Sequence, residues 1–391
     1  MKLLYLITED WFFCSHFIDH ARSAKAAGYD VVIAARESEH GGRIREAGLR
    51  LLPLKIERRS TNPLRELRTL LQVCRIYASE RPHIVHHIAL KPIIYGSLAA
   101  RITGIARVVN APVGLGYAFT SAGVNTWLLR RVILGAMRWL MNPPGSRVVF
   151  ENRDDLEHFV DRGLVHRGDA ALVPGSGVEL SRFRVAAEPP GTPTVVLTAR
   201  MLWDKGVGEF VQAARLLRAQ GVAARFVLIG APDAGNPASI PPEQLMRWRD
   251  EGIVDWLGYR TDIPELLAAS HIVCLPSYRE GLPKALVEAL AAGRPIVTTD
   301  VPGCRELVKN GENGILVPPR DAAALARALA ELIANPGRRA RYGAAGRRRA
   351  EQEFHSGIVI DATLRLYESL LNSGNARRRK RMVVRPGLGR R

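Results

Sequence analysis

The chain has 391 residues, 47% of them hydrophobic, and carries a net charge of +18 at neutral pH. This length suits two domains of roughly 150–200 residues each, and the apolar content excludes a disordered chain. No stretch approaches the ~18–20 consecutive apolar residues that a membrane-spanning helix needs.

The first half alternates short β-branched apolar runs with helix-patterned segments. Several runs are apolar throughout, as expected of parallel strands covered on both faces. The predicted strands are KLLYLI (2–7), DVVIAA (30–35), HIVHHIA (83–89), ARVVNA (106–111), SRVVFE (146–151) and AALVP (170–174), with helices near 15–27, 63–80, 91–103, 125–142 and 152–163. Such alternation predicts a doubly wound α/β domain.

A linker is predicted at AAEPPGTPT (186–194), which holds three prolines and a glycine. The pattern then restarts, which predicts a second Rossmann-like domain, and ligands of two such parallel sheets are expected in the cleft between them. The predicted strands are TVVLTAR (194–200), ARFVLIG (224–230), GIVDWLG (252–258), HIVCLPS (271–277), RPIVTT (294–299) and GILVP (314–318), with helices near 206–219, 241–250, 262–270, 283–292 and 321–335.

These elements predict four segments. Residues 1–187 form the first domain and 188–351 the second. Residues 352–372 form an amphipathic C-terminal helix that can cross back to the first domain. Residues 373–391 are expected to be a disordered basic tail.

The charge and the cysteines indicate partners and location. The last fifteen residues, 377–391, hold seven Arg and one Lys without an acid, so the rest of the chain still carries +10. Polyanions are implied: nucleic acid, an anionic membrane surface or phosphorylated small molecules. Four widely spaced cysteines without metal spacing indicate a reduced intracellular protein. The N-terminal run is interpreted as a buried strand, not a signal peptide, because Glu9 and Asp10 interrupt it.

The stretch REGLPKALVEALAAGRP (279–295) follows a predicted strand and joins a turn to a helix. Pro283 suits the first helical position, so residues 281–283 lie where a helix N-terminus favours an anion. Glu280 would lie beside that anion and accept hydrogen bonds from hydroxyls. Glu288 is ~7.5 Å further along the helix axis, where a second hydroxylated ring could bind.

The spacing of the two Glu residues has an ordinary explanation as well. Lys284 and Glu288 are four residues apart, as in many surface ion pairs of helices. A second element favours a binding site. TARMLWDKGV (198–207) places Arg200 and Lys205 at the carboxyl end of another strand. Two such cations suit a diphosphate, Arg through its planar fork and Lys as a point charge.

These residues, in this order, resemble the retaining glycosyltransferases of family 4, which have the GT-B fold. The resemblance spans the second domain, and the first domain resembles the subgroup that builds capsular and O-antigen-type polysaccharides and lipid-linked oligosaccharides. The matching pieces are PGSGVEL (174–180), ARMLWDKG (199–206), LIG (228–230), LGYRTDIPELLAASHIVCLPS (257–277), REGLPKALVEALAAGRPIV (279–297), GENGILVP (311–318), EDWFFCSHFIDHARSAKAAGYDV (9–31), HHIALKP (86–92) and PVGLGYAFTS (112–121).

The resemblance implies a role for each matching residue. Glu280 would contact the donor sugar, Glu288 would hold the ribose, and the two cations would neutralise the departing diphosphate. The turn after Glu280 would cradle phosphate and sugar, and residues 258–260 would border the nucleobase. The implied catalytic residues are Glu280, Arg200 and Lys205; the implied binding residues are Glu288, Gly281, Leu282, Pro283, Gly258, Tyr259, Arg260, Gly114 and Gly116.

The implied chemistry needs neither a cofactor nor a metal, because two cations and a helix end supply the positive charge. Retention is expected through front-face attack, in which the leaving phosphate oxygen takes the acceptor's proton and Glu280 only positions the sugar. A covalent Glu intermediate is the open alternative.

The first domain departs from the family pattern at two places. The loop after the first strand, TEDWFFCSH, lacks the usual glycines, and Val113 stands where many members have a His. His16, His86 or His87 could serve near the sugar instead.

The expected substrates are a nucleotide-sugar, with a UDP-linked donor favoured, and a saccharide acceptor, with an undecaprenyl-diphosphate-linked one favoured. The segment 125–142 combines two Trp and three Arg, as a helix at a membrane interface does, although it equally suits a helix packed on the sheet. With the basic tail, it leads us to expect a cytoplasmic protein peripheral to the inner face of the cytoplasmic membrane.

Three other functions compete with this interpretation. A nucleotide-sugar 2-epimerase of GT-B architecture would consume donor without acceptor. A dinucleotide-dependent dehydrogenase would want G-x-G-x-x-G after the first strand, which is missing. A basic protein that binds membrane or nucleic acid fits the charge, but no nucleic-acid-binding motif is present, so no specific nucleic acid is expected.

Overall fold

The computed structural model describes residues 1–57, 60, 62–113, 139–233 and 235–383, with the backbone alone over 373–383. Two compact units share the chain, Met1–Ser176 with Ile360–Arg391, and Gly177–Val359.

Within the described residues, the first unit holds a seven-stranded parallel sheet in the order β3-β2-β1-β4-β5-β6-β7. Its strands are β1 Lys2–Glu9, β2 Asp30–Arg36, β3 Arg50–Pro53, β4 Ile84–Ile88, β5 Val108–Ala111, β6 Arg147–Phe150 and β7 Ala170–Leu172. Its helices are α1 Asp10–His16, α2 Ile18–Ala26, α3 Gly41–Glu46, α4 Pro63–Glu80, α5 Leu90–Thr103 and α6 Arg153–Asp161.

Helices cover both faces of this sheet because alternate side chains of each strand point to opposite faces. In β1, Leu3, Tyr5 and Ile7 pack into one core with α1–α3. Leu4 and Leu6 pack into the other core with α4 and α5. The apolar runs therefore have the two-sided burial that the sequence predicts.

Where residues 177–233 and 235–359 are described, the second unit holds a six-stranded parallel sheet in the order β10-β9-β8-β11-β12-β13. Its strands are β8 Thr194–Thr198, β9 Arg225–Ile229, β10 Asp255–Trp256, β11 Ile272–Leu275, β12 Ile296–Thr299 and β13 Gly314–Val317. Its helices are α7 Val207–Ala219, α8 Pro242–Asp250, α9 Ile263–Ala268, α10 Lys284–Ala291, α11 Cys304–Leu307, α12 Ala322–Ile333 and α13 Pro336–Arg349, and α14 Ser356–Val383 closes the chain.

The twelve predicted strands are all present, with ends shifted by a few residues. The sequence missed β3, which is short, lies at the sheet edge and ends at Pro53. It also missed α3 and placed the first helix too late, since α1 begins directly after β1 and α2 follows a break at Phe17.

The division between the units differs from the predicted boundary at 187/188. Val178 and Phe183 are buried in the core of the second unit. The predicted linker is also fastened there, because Arg339 forms an ion pair with Glu188 at 2.7 Å and His271 contacts the carbonyl oxygen of Pro189 at 3.0 Å. A proline-rich composition therefore marks a fixed extended segment here.

The last helix, α14, is longer than the predicted 352–372 and continues to Val383, where disorder was predicted from residue 373. Its added turns hold four Arg and one Lys between residues 377 and 381, and these residue types favour helix. None of the described helices is long and apolar enough to cross a membrane.

From Ile360 onward, α14 belongs to the first unit, and a buried tyrosine fastens it there. The hydroxyl of Tyr367 lies 3.0 Å from the hydroxyl of Tyr5 and 2.7 Å from His86 Nδ1. All three side chains are buried. Burial and the nearby rings of His87 and His20 lower the pKa of His86 to about 3, so the ring is neutral.

We expect Tyr367→Phe to lower the free energy of unfolding by about 1–3 kcal/mol, because two buried polar groups lose their partner. Chemical denaturation measures the change. Tyr29→Phe is the control, since its ring packs edge-on against Tyr367 without a described hydrogen bond. Equal losses from both variants would contradict the importance of this hydroxyl.

Candidate active site

The second sheet has a point at which its strand order reverses, between β8 and β11. From β8 the chain continues to β9 on one side, and from β11 it continues to β12 on the other. Because all these strands are parallel, the loops after β8 and β11 leave the same edge of the sheet before the chain continues to opposite sides. Open α/β sheets bind ligands at this position.

The loops after β8 and β11 meet through an ion pair. Lys205 Nζ lies 2.6 Å from Glu280 Oε1. The same oxygen accepts a hydrogen bond from Ser277 Oγ at 2.6 Å. The Lys205 side chain is 21% exposed and that of Glu280 is 9% exposed. The structure therefore brings together two of the three residues predicted to be catalytic and adds Ser277, which the sequence reasoning missed.

Gly206 allows this meeting of the loops. Its φ is +70°, and a Cβ atom there would lie 2.1 Å from the carbonyl oxygen of Pro276. Only glycine fits such an approach of one backbone to another in the left-handed region. The position next to Lys205 thus fixes the distance between the two strand ends.

Arg200, the third predicted catalytic residue, has a carboxylate partner of its own. Its Nη1 lies 2.6 Å from Asp233 Oδ2, in the loop after β9. The loops after β8 and β9 are close because Gly230, at φ +142°, would place a Cβ atom 1.8 Å from the carbonyl oxygen of Ala199. Asp233 was missed by the sequence reasoning, although it follows a strand next to the switch point.

The turn of Gly281, Leu282 and Pro283 leads into α10 as predicted, with one correction. The helix begins at Lys284, and Pro283 is its N-cap residue. The back of the turn is closed by Gly303, where a Cβ atom would lie 2.4 Å from the carbonyl oxygen of Gly281. This second close backbone approach holds the turn that follows Glu280.

Glu288 lies one helical turn after Lys284, and its side chain is 16% exposed. Lys284 Nζ is 3.8 Å away. Burial raises the pKa of Glu288, although Lys284 and Arg182 oppose the shift. Among the described contacts, Glu288 and Glu280 share no partner, so the two carboxylates occupy separate environments.

The residues predicted to border the nucleobase follow β10, at the outer strand of this sheet. The carbonyl oxygen of Gly258 accepts a hydrogen bond from Gly230 N at 2.8 Å. Tyr259 is 72% exposed. Arg260 forms a two-point ion pair with Asp262, which the sequence reasoning did not pair with it.

The sequence of this chain is similar to those of known glycosyltransferases. The chain matches the family model described as glycosyl transferases group 1 over residues 192–335 and the one described as glycosyl transferase 4-like over residues 2–141. These two matches cover most of both units. The chain belongs to the family 4 glycosyltransferases.

Two relatives and two solved structures agree with this assignment. Over 357 residues the chain is 28% identical to N,N'-diacetylbacillosaminyl-diphospho-undecaprenol alpha-1,3-N-acetylgalactosaminyltransferase of Campylobacter jejuni, covering 88% of this chain and 92% of that protein. It is 25% identical to UDP-Gal:alpha-D-GlcNAc-diphosphoundecaprenol alpha-1,3-galactosyltransferase of Escherichia coli, over 69% and 71% of the two chains.

The solved structures show the fold alone, since sequence identity is low. HepE of Anabaena in complex with UDP and glucose has a TM-score of 0.76 at 18% identity, with 94% of this chain and all 100% of that chain covered. Sucrose-phosphate synthase of Thermosynechococcus elongatus has a TM-score of 0.78 at 19% identity, with 95% and 100% covered. The predicted GT-B fold is confirmed.

A supporting contact in this glycosyltransferase lies behind the Glu280 turn. The hydroxyl of Tyr278 donates a hydrogen bond to Glu209 Oε1 at 2.7 Å, and burial together with that carboxylate raises the pKa of Tyr278. The guanidinium of Arg320 stacks over the Tyr278 ring at 4.5 Å. Tyr278 N also donates to the carbonyl oxygen of Asp204, so the loops after β8 and β11 are linked a second time.

The candidate residues of the first unit have less support. Gly114 and Gly116 lie outside the described residues. His87 is fully buried and contacts Asn110 Oδ1 and the Tyr77 hydroxyl through its two ring nitrogens, and burial lowers its pKa to about 4. His86 is likewise buried. His16 contacts Ser15 Oγ at 2.6 Å.

The glycine-free segment after β1 forms a helix that a buried carboxylate holds in place. Helix α1 starts at Asp10, whose buried carboxylate accepts hydrogen bonds from Ser38 N at 2.6 Å and His40 N at 3.2 Å. Burial opposes the charge of Asp10, but these hydrogen bonds lower its pKa. The end of β1 is therefore tied to the segment after β2.

Gly206→Ala is expected to lower transfer roughly 10²-fold, because about 1 Å of misplacement of a catalytic group can cost that much. Gly221→Ala is a matched control: its φ is +74°, but nothing lies within 4 Å of an added Cβ atom. Both variants should lose roughly 1–2 kcal/mol of stability from the left-handed backbone, and Gly206→Ala should lose more because its Cβ atom would overlap the carbonyl group of Pro276. Similar activity of the two variants would show that the contact with Pro276 does not set the site.

Glu288→Gln should stabilise the free protein near pH 7. Its carboxyl has a raised pKa in the folded state, so the charged form destabilises the fold at neutral pH. As the pH falls through that pKa the wild-type carboxyl is protonated, and the advantage of the variant should disappear. Denaturation between pH 4 and 8 tests this, with Glu312→Gln, at an exposed carboxylate, as control. A gain that is constant with pH would contradict the assignment.

Proposed function

We propose that this glycosyltransferase moves a sugar, with retention of configuration, from a nucleotide-sugar to a saccharide on a lipid-carrier diphosphate. The observation that carries the proposal is the contact of Lys205 and Ser277 with Glu280 at the switch point of the second sheet. The two relatives named above support the acceptor, since both are named for diphosphoundecaprenol-linked substrates. The reaction would belong to the biosynthesis of a surface polysaccharide or glycan.

In the proposed reaction, the bond between the anomeric carbon and the diphosphate oxygen breaks while an acceptor hydroxyl attacks from the same face. The leaving phosphate oxygen takes the proton of that hydroxyl. Lys205 and Arg200 would stabilise the charge that develops on the diphosphate. The turn 281–283 and the N-terminus of α10 would bind phosphate and sugar.

Glu280 is assigned a positioning role in this reaction. Its Oε1 already accepts hydrogen bonds from Lys205 and Ser277, which lowers the nucleophilicity of that oxygen and fixes its orientation. A carboxylate held in this way suits acceptance of hydrogen bonds from sugar hydroxyls. Glu288, further along α10, would bind the ribose.

A UDP-linked donor without a metal is the favoured form of the reaction. The structural neighbour HepE is in complex with UDP and glucose, which supports uracil as the base of the donor. The cations and the helix end would supply the positive charge that a metal provides elsewhere. Exposed Tyr259, beside Gly258, would face the nucleobase. Thermal stabilisation by a panel of UDP- and GDP-sugars, with and without a chelator, tests both points.

We expect Glu280→Gln to lower the rate of transfer on the order of 10²-fold while donor binding changes little, because its contacts serve the reacting sugar. Glu288→Gln should instead weaken donor binding about tenfold, as loss of a hydrogen bond to a charged group does. Calorimetric donor titration and a transfer assay separate the two effects.

The reverse pattern would reassign the two carboxylates, and full transfer by both variants would contradict the site. Glu312→Gln, at an exposed carboxylate of the same unit, is the matched control and should behave as wild type.

An acceptor on a lipid carrier requires work at a membrane surface, and we propose peripheral binding at the inner face of the cytoplasmic membrane. The predicted interfacial segment 125–142 lies outside the described residues except for its last four positions. Of these, Trp139 is 56% exposed and lies under the guanidinium of Arg101 at 4.1 Å. Aromatic and cationic groups together favour the headgroup region.

A further inference from the structure

The outward face of α4 is apolar where a surface helix is normally polar. Leu64, Leu67 and Leu71 are 67%, 52% and 46% exposed, and they repeat at positions i, i+3 and i+7 of the helix. Val73 and Tyr77, on the opposite face, are buried in the core. The leucines therefore form an outward stripe that the core does not use.

Arginines flank this leucine stripe. Arg68 and Arg75 each lie four residues after a leucine of the stripe, on the same side of the helix, and both are exposed. Neither has a hydrogen bond or ion pair with another described residue. Arg65, at the first turn, contacts the exposed Glu57 at 3.0 Å. The face thus combines exposed leucines with uncompensated positive charge.

The acidic residues of α4 point elsewhere. Glu66 binds Lys91 at 3.1 Å and Tyr95, both on α5, and Glu80 binds Lys2 at 2.8 Å. The same Lys91 ammonium donates to the carbonyl oxygen of Ser60, just before the helix. These contacts fix α4 to the body of the first unit, so its outward face is a rigid surface.

We propose that this face of α4, Leu64, Leu67 and Leu71 with Arg68 and Arg75, docks on an anionic lipid surface. Exposed leucines would enter the headgroup boundary, and the arginines would lie among the lipid phosphates, as on interfacial amphipathic helices. Charge favours this occupant over a second copy, because two copies would bring like-charged arginines together.

The position of the stripe agrees with the proposed lipid-linked acceptor, on which this part of the inference rests. Helix α4 follows β3 of a parallel sheet, so its first turn, with Leu64, lies at the carboxyl edge of that sheet. Ligands of such sheets bind at that edge. Docking through α4 would therefore bring the ligand-binding edge of the first unit close to the lipid surface.

Co-sedimentation of the full-length protein with vesicles tests the docking. The vesicles contain phosphatidylcholine alone or with phosphatidylglycerol, and no saccharide acceptor. Leu64→Gln/Leu67→Gln/Leu71→Gln should lower binding to the anionic vesicles roughly tenfold. Arg68→Gln/Arg75→Gln should lower it by a similar factor and reduce its dependence on salt.

Matched controls remove exposed groups elsewhere. Leu172→Gln/Met246→Gln/Ile358→Gln changes three other exposed apolar residues, and Arg341→Gln/Arg348→Gln changes two exposed arginines of the second unit. Both controls should bind within about twofold of wild type. Thermal melting checks the fold of every variant, and the arginine pair tests the proposal should the leucine variant fail to fold.

Two results would overturn the docking proposal. One is binding by the α4 variants that equals that of the controls. The other is a dimer, seen by sedimentation velocity, that the leucine variant dissociates without a change in vesicle binding. Because the vesicles carry no acceptor, either result leaves the proposed sugar transfer untouched, and inactivity of the wild-type enzyme in the transfer assay leaves the docking untouched.

Discussion

The ion pair between Lys205 and Glu280 depends on the order of the strands in the second sheet. The two residues are 75 positions apart in sequence and meet because β8 and β11 are neighbours whose carboxyl ends point the same way. The left-handed backbone of Gly206, packed on the carbonyl oxygen of Pro276, sets how closely the two loops approach. Any change that separates these loops would separate cation and carboxylate, so the candidate active site is a consequence of topology and of one residue without a side chain.

Most strands could be predicted because they are buried on both faces and so appear in the sequence as short apolar runs. The positions of Arg200, Lys205 and Glu280 followed from the same reading, since they come directly after such runs. The edge strand β3 was missed because Arg50 and Pro53 interrupt its apolar character. The sequence could not show where the units divide, because a free proline-rich linker and one held in place have the same composition. Here the segment is held by the ion pair of Glu188 with Arg339.

Pairing partners were the least predictable part of the candidate site. Asp233 and Ser277 lie in loops, where no periodic pattern assigns a direction to a side chain. Their contacts depend on loop geometry that only the three-dimensional arrangement supplies. Glu288 illustrates the opposite case: the sequence allowed either a surface ion pair with Lys284 or a binding carboxylate, and its low exposure favours the second without excluding the first contact.

Net charge alone also says little about where a basic protein meets its partners. Arg294 and Arg339 are buried and donate to backbone carbonyl oxygens, so part of the positive charge stabilises the fold. Arg68 and Arg75 instead lie on an exposed face beside leucines. A polyanion can bind only the exposed arginines. The α4 face therefore supports binding to a lipid surface more specifically than the total charge of +18 does.

The carboxylate partners of Lys205 and Arg200 bear on turnover in the proposed reaction. If Lys205 and Arg200 had no carboxylate partners, a diphosphate would bind next to two uncompensated positive charges and would dissociate slowly after transfer. With Glu280 and Asp233 beside them, the local charge before binding is close to neutral. Lys205 can donate three hydrogen bonds and gives one to Glu280, so it can bind a phosphate oxygen without losing its carboxylate. In the proposed reaction, this pairing would keep the released nucleotide from binding too tightly, and repeated cycles require its release.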